Sequence, residues 1–190
     1  MGTKMKGKTA KLLLGCLVAL SIIITGCNSP ASEGQELTLT EAEKQMLEER
    51  GVLNTYSVEI ASRVAGFTVF TPAYIPEGFN GGQFMVSKPV AGSPAKFDTT
   101  NIQQAYTWSE DWTIMFSLVQ APHKFGVGGE PVEVCGFPGE RKLLPAEGDR
   151  PASLTLAWSD GERFYSLYGT LAVPITEEVL HQIACSVGAD

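Results

Sequence analysis

Cysteine and histidine are the residue types in this chain whose side chains most readily support catalysis or metal binding. The 190 residues contain four cysteines and two histidines: Cys16, Cys27, Cys135, Cys185, His123 and His181. The two histidines do not form an HExxH-like motif, so we expect no metal site. Cys135 and His181 could form a thiol–imidazole pair, but Cys135 lies in a predicted central strand, where a buried and unreactive thiol is expected.

Other catalytic motifs are missing from the sequence as well. Serines occur without the G-x-S-x-G motif of a nucleophile elbow. The glycine-rich stretch at 126–129 lies between two predicted strands, whereas a phosphate-binding loop leads from a strand into a helix. We therefore expect no catalytic residues and no cofactor, and we predict that the protein is not an enzyme.

Residues 1–27 have the composition of an export signal. An apolar run at 12–27 ends in the letters ITGC. Four lysines precede it, and residues 1–27 contain no acidic residue. An aliphatic residue and two small residues directly before a cysteine resemble a bacterial lipoprotein signal, in which that cysteine carries lipid. We therefore predict a signal peptide at 1–26, lipidation of Cys27, and a protein anchored on the extracytoplasmic side of the cell membrane or cell envelope.

Two other interpretations of this segment remain open. A transmembrane helix needs about 20 predominantly apolar residues, and this run is shorter and contains Gly15 and Ser21. A conventional signal would release the product, but it would leave the position of Cys27 unexplained. Two acyl chains on Cys27 would anchor the protein stably, because each buried methylene contributes about 0.8 kcal/mol.

The predicted mature chain, residues 27–190, is acidic. Removal of the signal leaves ten basic residues against 21 acidic ones, so the formal net charge changes from −7 to −11. Negative charge repels nucleic acid and anionic headgroups, so we expect no nucleic-acid partner. A cationic peptide or protein partner is compatible with this charge, as is the simpler interpretation that the charge keeps the domain in solution.

Cys135 and Cys185 are the cysteines that remain once Cys16 is removed with the signal peptide and Cys27 carries lipid. An even pair in an extracytoplasmic protein is a candidate disulfide. Such a bridge would close a loop of about 50 residues and contribute about 4 kcal/mol in the chain-entropy model. Two separately buried thiols are an equal alternative, and the spacing does not decide between them.

The mature chain divides into a tether and one domain. Residues 27–38 are polar and contain proline, serine and glycine, which predicts a flexible, lipidated tether. Residues 39–190 contain the apolar patterns of a single domain.

Helices are predicted at both ends of this domain. Thr40 and Glu43 form a capping box for a first helix. A second helix, capped by Asn54 or Thr55, is expected to pack with the first as an αα-hairpin or as two packed turns. Thr176 is the predicted N-cap of a closing helix.

Seven segments of β-type composition lie between residues 79 and 173. Hairpins are predicted at 108–112 and 158–162, and Pro-Gly at 138–139 predicts a further turn. The expected fold is α+β: a curved antiparallel sheet of about six to seven strands, with two short N-terminal helices and a C-terminal helix packed on one face.

Five stretches in order resemble the bacterial family called domain of unknown function 4367. They are GFTVFTPAYIPEGF at 66–79, the hairpin from Tyr106 through Trp112 to Gln120, VEVCGFPGE at 132–140, LAWSDGERFYSLYG at 156–169, and ITEEVLHQIACSV at 175–187. The resemblance covers about residues 57–187. It implies a binding or regulatory module of the cell envelope, with helices on one side of the sheet and no known catalytic residues. The two cysteines at 135 and 185 are not part of the family pattern.

Aromatic residues concentrate in the two predicted hairpins. Aromatic side chains at alternate strand positions usually belong to the core, whereas Trp108 and Trp112 flank a turn and are the predicted exposed pair. Three functions follow as hypotheses: a tethered binding or sensor module that contacts a protein or peptide partner, a domain that binds lipid or an acyl chain in an apolar groove of the sheet, and an enzyme, which has no supporting residues. The first is the predicted function, and the second is its alternative.

Overall fold

The computed structural model describes residues 38–90, 99–124 and 126–188. Cys27 and the predicted signal peptide lie outside the described residues. The elements, in chain order, are α1 (Glu41–Arg50), β1 (Val52–Thr55), α2 (Val58–Ala65), β2 (Phe79–Ser87), β3 (Asn101–Trp108), β4 (Met115–Ala121), β5 (Glu130–Val134), β6 (Phe137–Leu144), β7 (Ser153–Ser159), β8 (Phe164–Thr170) and α3 (Glu177–Cys185). None of the described helices is both long enough and apolar enough to span a membrane.

Eight antiparallel strands form one open sheet in the order β1-β2-β3-β4-β8-β7-β6-β5. The first four strands form one meander and the last four form a second, which runs back from the far edge so that β8 pairs with β4. The connection from β4 to β5 must therefore cross the sheet. The prediction of an α+β fold with an antiparallel sheet is confirmed.

The strand count of six to seven was too low because β1 went unrecognised. β1 has four residues, which are too few to show an alternating pattern. The first two, Val52 and Leu53, were predicted to belong to the connection between the two helices. The predicted αα-hairpin is wrong as well, since β1 separates the two helices and α2 begins after Ser57 rather than after Asn54 or Thr55.

One face of the sheet carries the core. Strand register aligns a row of buried residues across six strands: Leu53, Val86, Ile102, Gln120, Tyr165 and Trp158. Residues paired in register lie on the same face. The apolar residues of the row belong to two clusters: α2 places its buried side chains in one of them, and α3 places its buried side chains in the other. We call this side the covered face.

The helix α1 departs from the predicted arrangement. Its capping box at Thr40 and Glu43 forms as predicted. However, α1 has no buried residue, and β1 is the strand it contacts, at the edge of the sheet. Strong helix formers are sufficient for α1 to form a helix, but its apolar stripe is too narrow for the helix to pack against the face of the sheet.

The closing helix α3 is held at its start and along its length. Thr176 caps it as predicted, by accepting a hydrogen bond from the Val179 backbone N–H at 3.3 Å. Glu177 accepts two hydrogen bonds from the Arg141 guanidinium, at 2.6 and 2.8 Å. Leu180 lies directly over Gly169 of β8, where a Cβ atom would be 2.4 Å from the Leu180 side chain. A larger residue at this position would therefore force the Leu180 side chain to shift.

Residues 67–78 cross the covered face between α2 and α3 as irregular backbone. The Gln120 side chain, fully buried in β4, accepts a hydrogen bond from the Phe70 N–H at 2.9 Å and donates one to the Phe70 carbonyl at 2.7 Å. This amide therefore satisfies both polar groups of a backbone unit that has no strand partner there.

A polar cluster at the β7–β8 turn ties this crossing segment to the second hairpin. Arg163 lies 4.3 Å from the centre of the Phe70 ring, donates a hydrogen bond to the Thr68 carbonyl, and pairs with Asp160 at 3.2 Å. Asp160 also accepts a hydrogen bond from the Tyr165 hydroxyl at 2.7 Å. Burial alone would raise the pKa of Asp160, but the hydrogen bonds from Tyr165 and from backbone N–H groups, together with Arg163, lower it.

Replacing Gln120 with leucine should lower the free energy of unfolding by roughly 2–4 kcal/mol, because the Phe70 N–H and carbonyl would be buried without partners. Urea unfolding measures this loss. Gln103→Leu is the matched control on the opposite face, where we expect a change within about 0.5 kcal/mol. Equal losses in the two variants would contradict this role of Gln120.

Asp160 should make stability depend on pH in the acidic range. Its lowered pKa means that the folded state favours the carboxylate, so its contribution is present above the ordinary value of 3.8 and is lost as the pH falls through the folded value. Asp160→Asn should therefore be less stable than the unmodified protein at pH 7, and the difference should shrink below pH 3.8. Urea unfolding at a series of pH values tests this, and a difference that is constant with pH would contradict it.

Candidate binding surface

The second face of the sheet has no described helix packed against it, and we call it the helix-free face. In β1 to β4, β7 and β8 every side chain that points to this face is uncharged: Val52, Asn54, Asn80, Gln83, Met85, Ser87, Asn101, Gln103, Ala105, Thr107, Met115, Ser117, Val119, Ala121, Ser153, Thr155, Ala157, Ser159, Phe164, Ser166, Tyr168 and Thr170. Charged residues enter on this face at β6, with Glu140 and Lys142.

The uncharged part of the helix-free face, on β1 to β4, β7 and β8, is suited to being covered by a partner. Antiparallel sheets that face water on one side usually carry polar residues there, and 18% of the residues in this chain are charged. Burying an unpaired charge costs far more than burying a hydroxyl or amide that finds a hydrogen bond. Protein interfaces are depleted in charge at their core and enriched in methionine and aromatic residues, and this face includes Met85, Met115, Phe164 and Tyr168.

A cleft of about 580 Å³ lies at one end of the helix-free face, and we call it the Trp112 cleft. Its floor comes from the ends of β3, β4 and β8, and its walls come from the β3–β4 turn and the β6–β7 loop: Thr107, Trp112, Thr113, Met115, Asp149, Arg150, Pro151, Tyr168 and Thr170. Trp112 is 79% exposed at its rim. Such an exposed indole is the residue type that most often anchors a binding partner.

The β3–β4 turn that presents Trp112 is fixed by its own hydrogen bonds. The Asp111 carboxylate accepts from the Thr113 N–H at 2.9 Å and from the Thr113 hydroxyl at 2.7 Å. The side-chain and backbone hydrogen bonds from Thr113 lower the pKa of Asp111. Since the turn is already ordered, binding through Trp112 would require little loss of backbone freedom.

A second cleft, of about 260 Å³, lies at the other end of strands β7 and β8. It is lined by Lys124, Pro138, Gly139, Glu140, Ala157, Trp158, Ser159 and Phe164. Glu140 fixes its wall by accepting hydrogen bonds at 3.0 Å from the Val127 and Gly128 N–H groups of the β4–β5 connection. Hydrogen bonding to backbone N–H groups lowers the pKa of Glu140, and the hydrogen bond from Val127 has the largest effect.

The two clefts can be reached by one extended segment. They lie at opposite ends of seven-residue strands, which places them about 20 Å apart at a rise of about 3.3 Å per residue. The uncharged positions of β7 and β8 lie between them. The surface is therefore a continuous strip with a cleft at each end.

The predicted pair of exposed tryptophans is divided between the two faces. Trp112 is exposed, but Trp108 is half-buried and packs against the covered-face core. Strand alternation places Trp108 on the same side as Tyr106 and Ile102, so the prediction was wrong for Trp108.

The remaining hairpin aromatics also belong mainly to the core. Tyr106 stacks on Phe116 at 4.6 Å, and Trp158 stacks on Tyr165 at 5.1 Å. Burial raises the pKa of Tyr106 to about 12. These rings fill space on the covered face and do not line the apolar groove that was considered for an acyl chain. The hydroxyl and amide residues of the helix-free face were not predicted, although the lack of charge at alternate positions of successive strands was a readable signal.

The structure joins Cys135 and Cys185 in a disulfide. The prediction of Cys135 in a central strand is wrong. Cys135 occupies the first position of the two-residue turn between β5 and β6, and Gly136 occupies the second. Positive φ angles of 54° and 84° at these two residues are typical of a tight hairpin turn. The predicted turn at 138–139 is also wrong, because both residues lie inside β6.

The two histidines lie in different surroundings. His123 is exposed in the β4–β5 connection. His181 is exposed in α3, with its Nδ1 atom 3.5 Å from the Cys185 sulfur. Among the described residues, Cys135, His181 and Cys185 are the one group of three metal-binding side chains whose ligand atoms lie close together, and its two cysteines are bonded to each other.

No protein-family model matches the chain, and no curated protein or solved structure matches it significantly. The resemblance to the domain of unknown function 4367 family therefore stays a prediction.

Proposed function

We propose that this protein is a membrane-anchored extracytoplasmic lipoprotein whose domain is a non-catalytic binding module, and that the helix-free face binds a protein or peptide partner of the cell envelope. The observation that supports the proposal is the absence of charge from the side chains of six neighbouring strands that point to the helix-free face. The Trp112 cleft is the anchoring point within that face.

A protein or peptide partner fits this surface better than an acyl chain. An acyl chain needs a continuous apolar cavity, whereas hydroxyl and amide side chains such as Gln103, Thr155 and Ser166 interrupt the apolar positions. These groups can exchange hydrogen bonds with water for hydrogen bonds with a polypeptide backbone. Methionine and aromatic residues between them supply the apolar contact that makes binding favourable.

Charge placed at the centre of the helix-free face should prevent binding. Ser166 lies between Val119 and Ala157 in register, so Ser166→Lys puts an ammonium group where a partner would bury it without a counter-ion. With a photo-crosslinking residue at Thr155 in intact cells, we expect a specific partner adduct, identified by mass spectrometry, that Ser166→Lys reduces at least about tenfold, equivalent to about 1.4 kcal/mol.

Gln182→Lys is the matched control, because it adds the same charge at an exposed position on α3. It should leave the adduct at Thr155 unchanged. An adduct that both substitutions reduce equally would reject the helix-free face as the binding surface. If the adduct contained acyl chains and no polypeptide, the ligand of this face would be a lipid rather than a protein or peptide.

The anchor is tested separately at Cys27. Cys27→Ala removes the residue that would carry two acyl chains, so the protein should leave the detergent phase and the membrane fraction. Phase partitioning and cell fractionation measure this. Cys16→Ala is the control, since Cys16 lies inside the predicted signal peptide. Unchanged membrane association of the Cys27 variant would contradict the lipoprotein assignment.

A further inference from the structure

The disulfide between Cys135 and Cys185 has two unequal sulfurs. Cys185, the last residue of α3, is exposed, whereas Cys135 in the β5–β6 turn is only partly exposed. An incoming thiol therefore reaches the Cys185 sulfur more easily. Exposed disulfides are also the ones most often used in exchange chemistry, whereas structural disulfides are usually shielded.

An imidazole stands beside the more accessible sulfur. His181 is one turn before Cys185 in α3, and its Nδ1 lies 3.5 Å from Sγ of Cys185. A neighbouring imidazole that accepts the thiol proton stabilises the thiolate, which is the nucleophilic form. The C-terminal end of a helix opposes negative charge, so His181 rather than the helix must supply this stabilisation.

Contacts other than the disulfide hold the two cysteines in place. The backbone just after Cys185 is bound to the crossing segment, since the Ser186 carbonyl accepts from the Ala73 N–H and the Ser186 hydroxyl accepts from the Tyr74 N–H, both at 3.0 Å. Cys135 is held by the hairpin pairing of Val134 with Phe137. The two thiols would therefore stay within reach of each other after reduction, which favours rapid reclosure of the bond.

We propose that Cys185, Cys135 and His181 form a thiol–disulfide exchange site, with Cys185 as the nucleophile, Cys135 as the resolving cysteine and His181 as the base. The substrates are thiols and disulfides at the cell surface, either small molecules or proteins. The site lies at the end of the sheet away from the Trp112 cleft. It would add an exchange chemistry to the domain, independent of the binding surface, which itself has no catalytic role in the proposed function.

The exchange balances without a metal or a further cofactor. In the reduced form, the Cys185 thiol gives its proton to His181 Nδ1, and the thiolate attacks one sulfur of a substrate disulfide, which expels the other sulfur as a thiolate. The Cys135 thiolate then attacks the Cys185 sulfur and expels the second substrate thiolate. The two protons pass to the departing sulfurs, so a protein dithiol and one disulfide give a protein disulfide and two thiols.

The role of His181 is tested by alkylation of Cys185. In the full chain carrying Cys135→Ser, held in detergent at pH 7, iodoacetamide should modify Cys185 at least about fivefold faster than in the same chain that also carries His181→Gln, because the imidazole favours the thiolate. Mass spectrometry of the Cys185 peptide measures both rates. Gln182→Ala is the control on the same helix and should change the rate less than about twofold. Equal rates with and without His181 would overturn its role as the base.

A second experiment uses the unsubstituted chain and maps the first sulfur that reacts. Oxidised protein is incubated with glutathione and quenched with acid at intervals, and the adducts are located by mass spectrometry. The expected adduct is on Cys185 and is lost again as the disulfide re-forms. The Cys135→Ser variant has no disulfide and is incubated with oxidised glutathione instead, which forms the mixed disulfide on Cys185 and releases one reduced glutathione; without Cys135 this adduct should persist. An adduct that accumulates on Cys135 would overturn the assigned roles, and a disulfide that does not react with glutathione in the folded protein would overturn the site itself.

Discussion

The buried amide of Gln120 is the contact on which the two-faced organisation of this domain depends. A stretch of irregular backbone must cross a sheet whose central strands are already paired on both sides, so its own polar groups have no strand to bind. Gln120 provides one donor and one acceptor at the same point and binds both groups of Phe70. The crossing segment is thereby fixed on the face that also carries α2 and α3, and none of the described helices packs on the opposite face.

This division separates the chemistry of the molecule. Charged side chains are concentrated in turns, in helices and on the strands at the β5–β6 edge, where Arg141 binds Glu177 of α3 and Glu140 holds the β4–β5 connection. The central strands carry mainly apolar side chains on the covered face and uncharged side chains on the helix-free face. The proposed exchange site belongs to the hairpin end and to α3. The proposed binding surface can therefore be altered by a substitution such as Ser166→Lys without touching either Cys185 or the core.

The predictions from sequence are confirmed where neighbouring residues determine the local structure. The capping box at Thr40, the N-cap at Thr176 and the hairpin at 158–162 all depend on side chains within a few residues of the backbone that they bind. Errors arose where distant residues decide the outcome. Trp108 was expected at the surface because it borders a turn, but its partner strands place it over the core. Cys135 was expected in a strand because Pro138 and Gly139 suggested a later turn.

The sequence by itself determined the antiparallel α+β class, the caps of α1 and α3 and the candidate pairing of two cysteines, because each follows from local pattern or from counting. The anchor at Cys27 stays a prediction. Only the tertiary structure decided that α1 lies at the edge of the sheet, that β8 returns to pair with β4, and that Cys135 is bonded to Cys185. These outcomes depend on contacts between residues far apart in the chain, whose free energies are set by packing rather than by local preference. The uncharged part of the helix-free face is the intermediate case, since its residues were present in the alternating pattern but only the strand order showed that they form one surface.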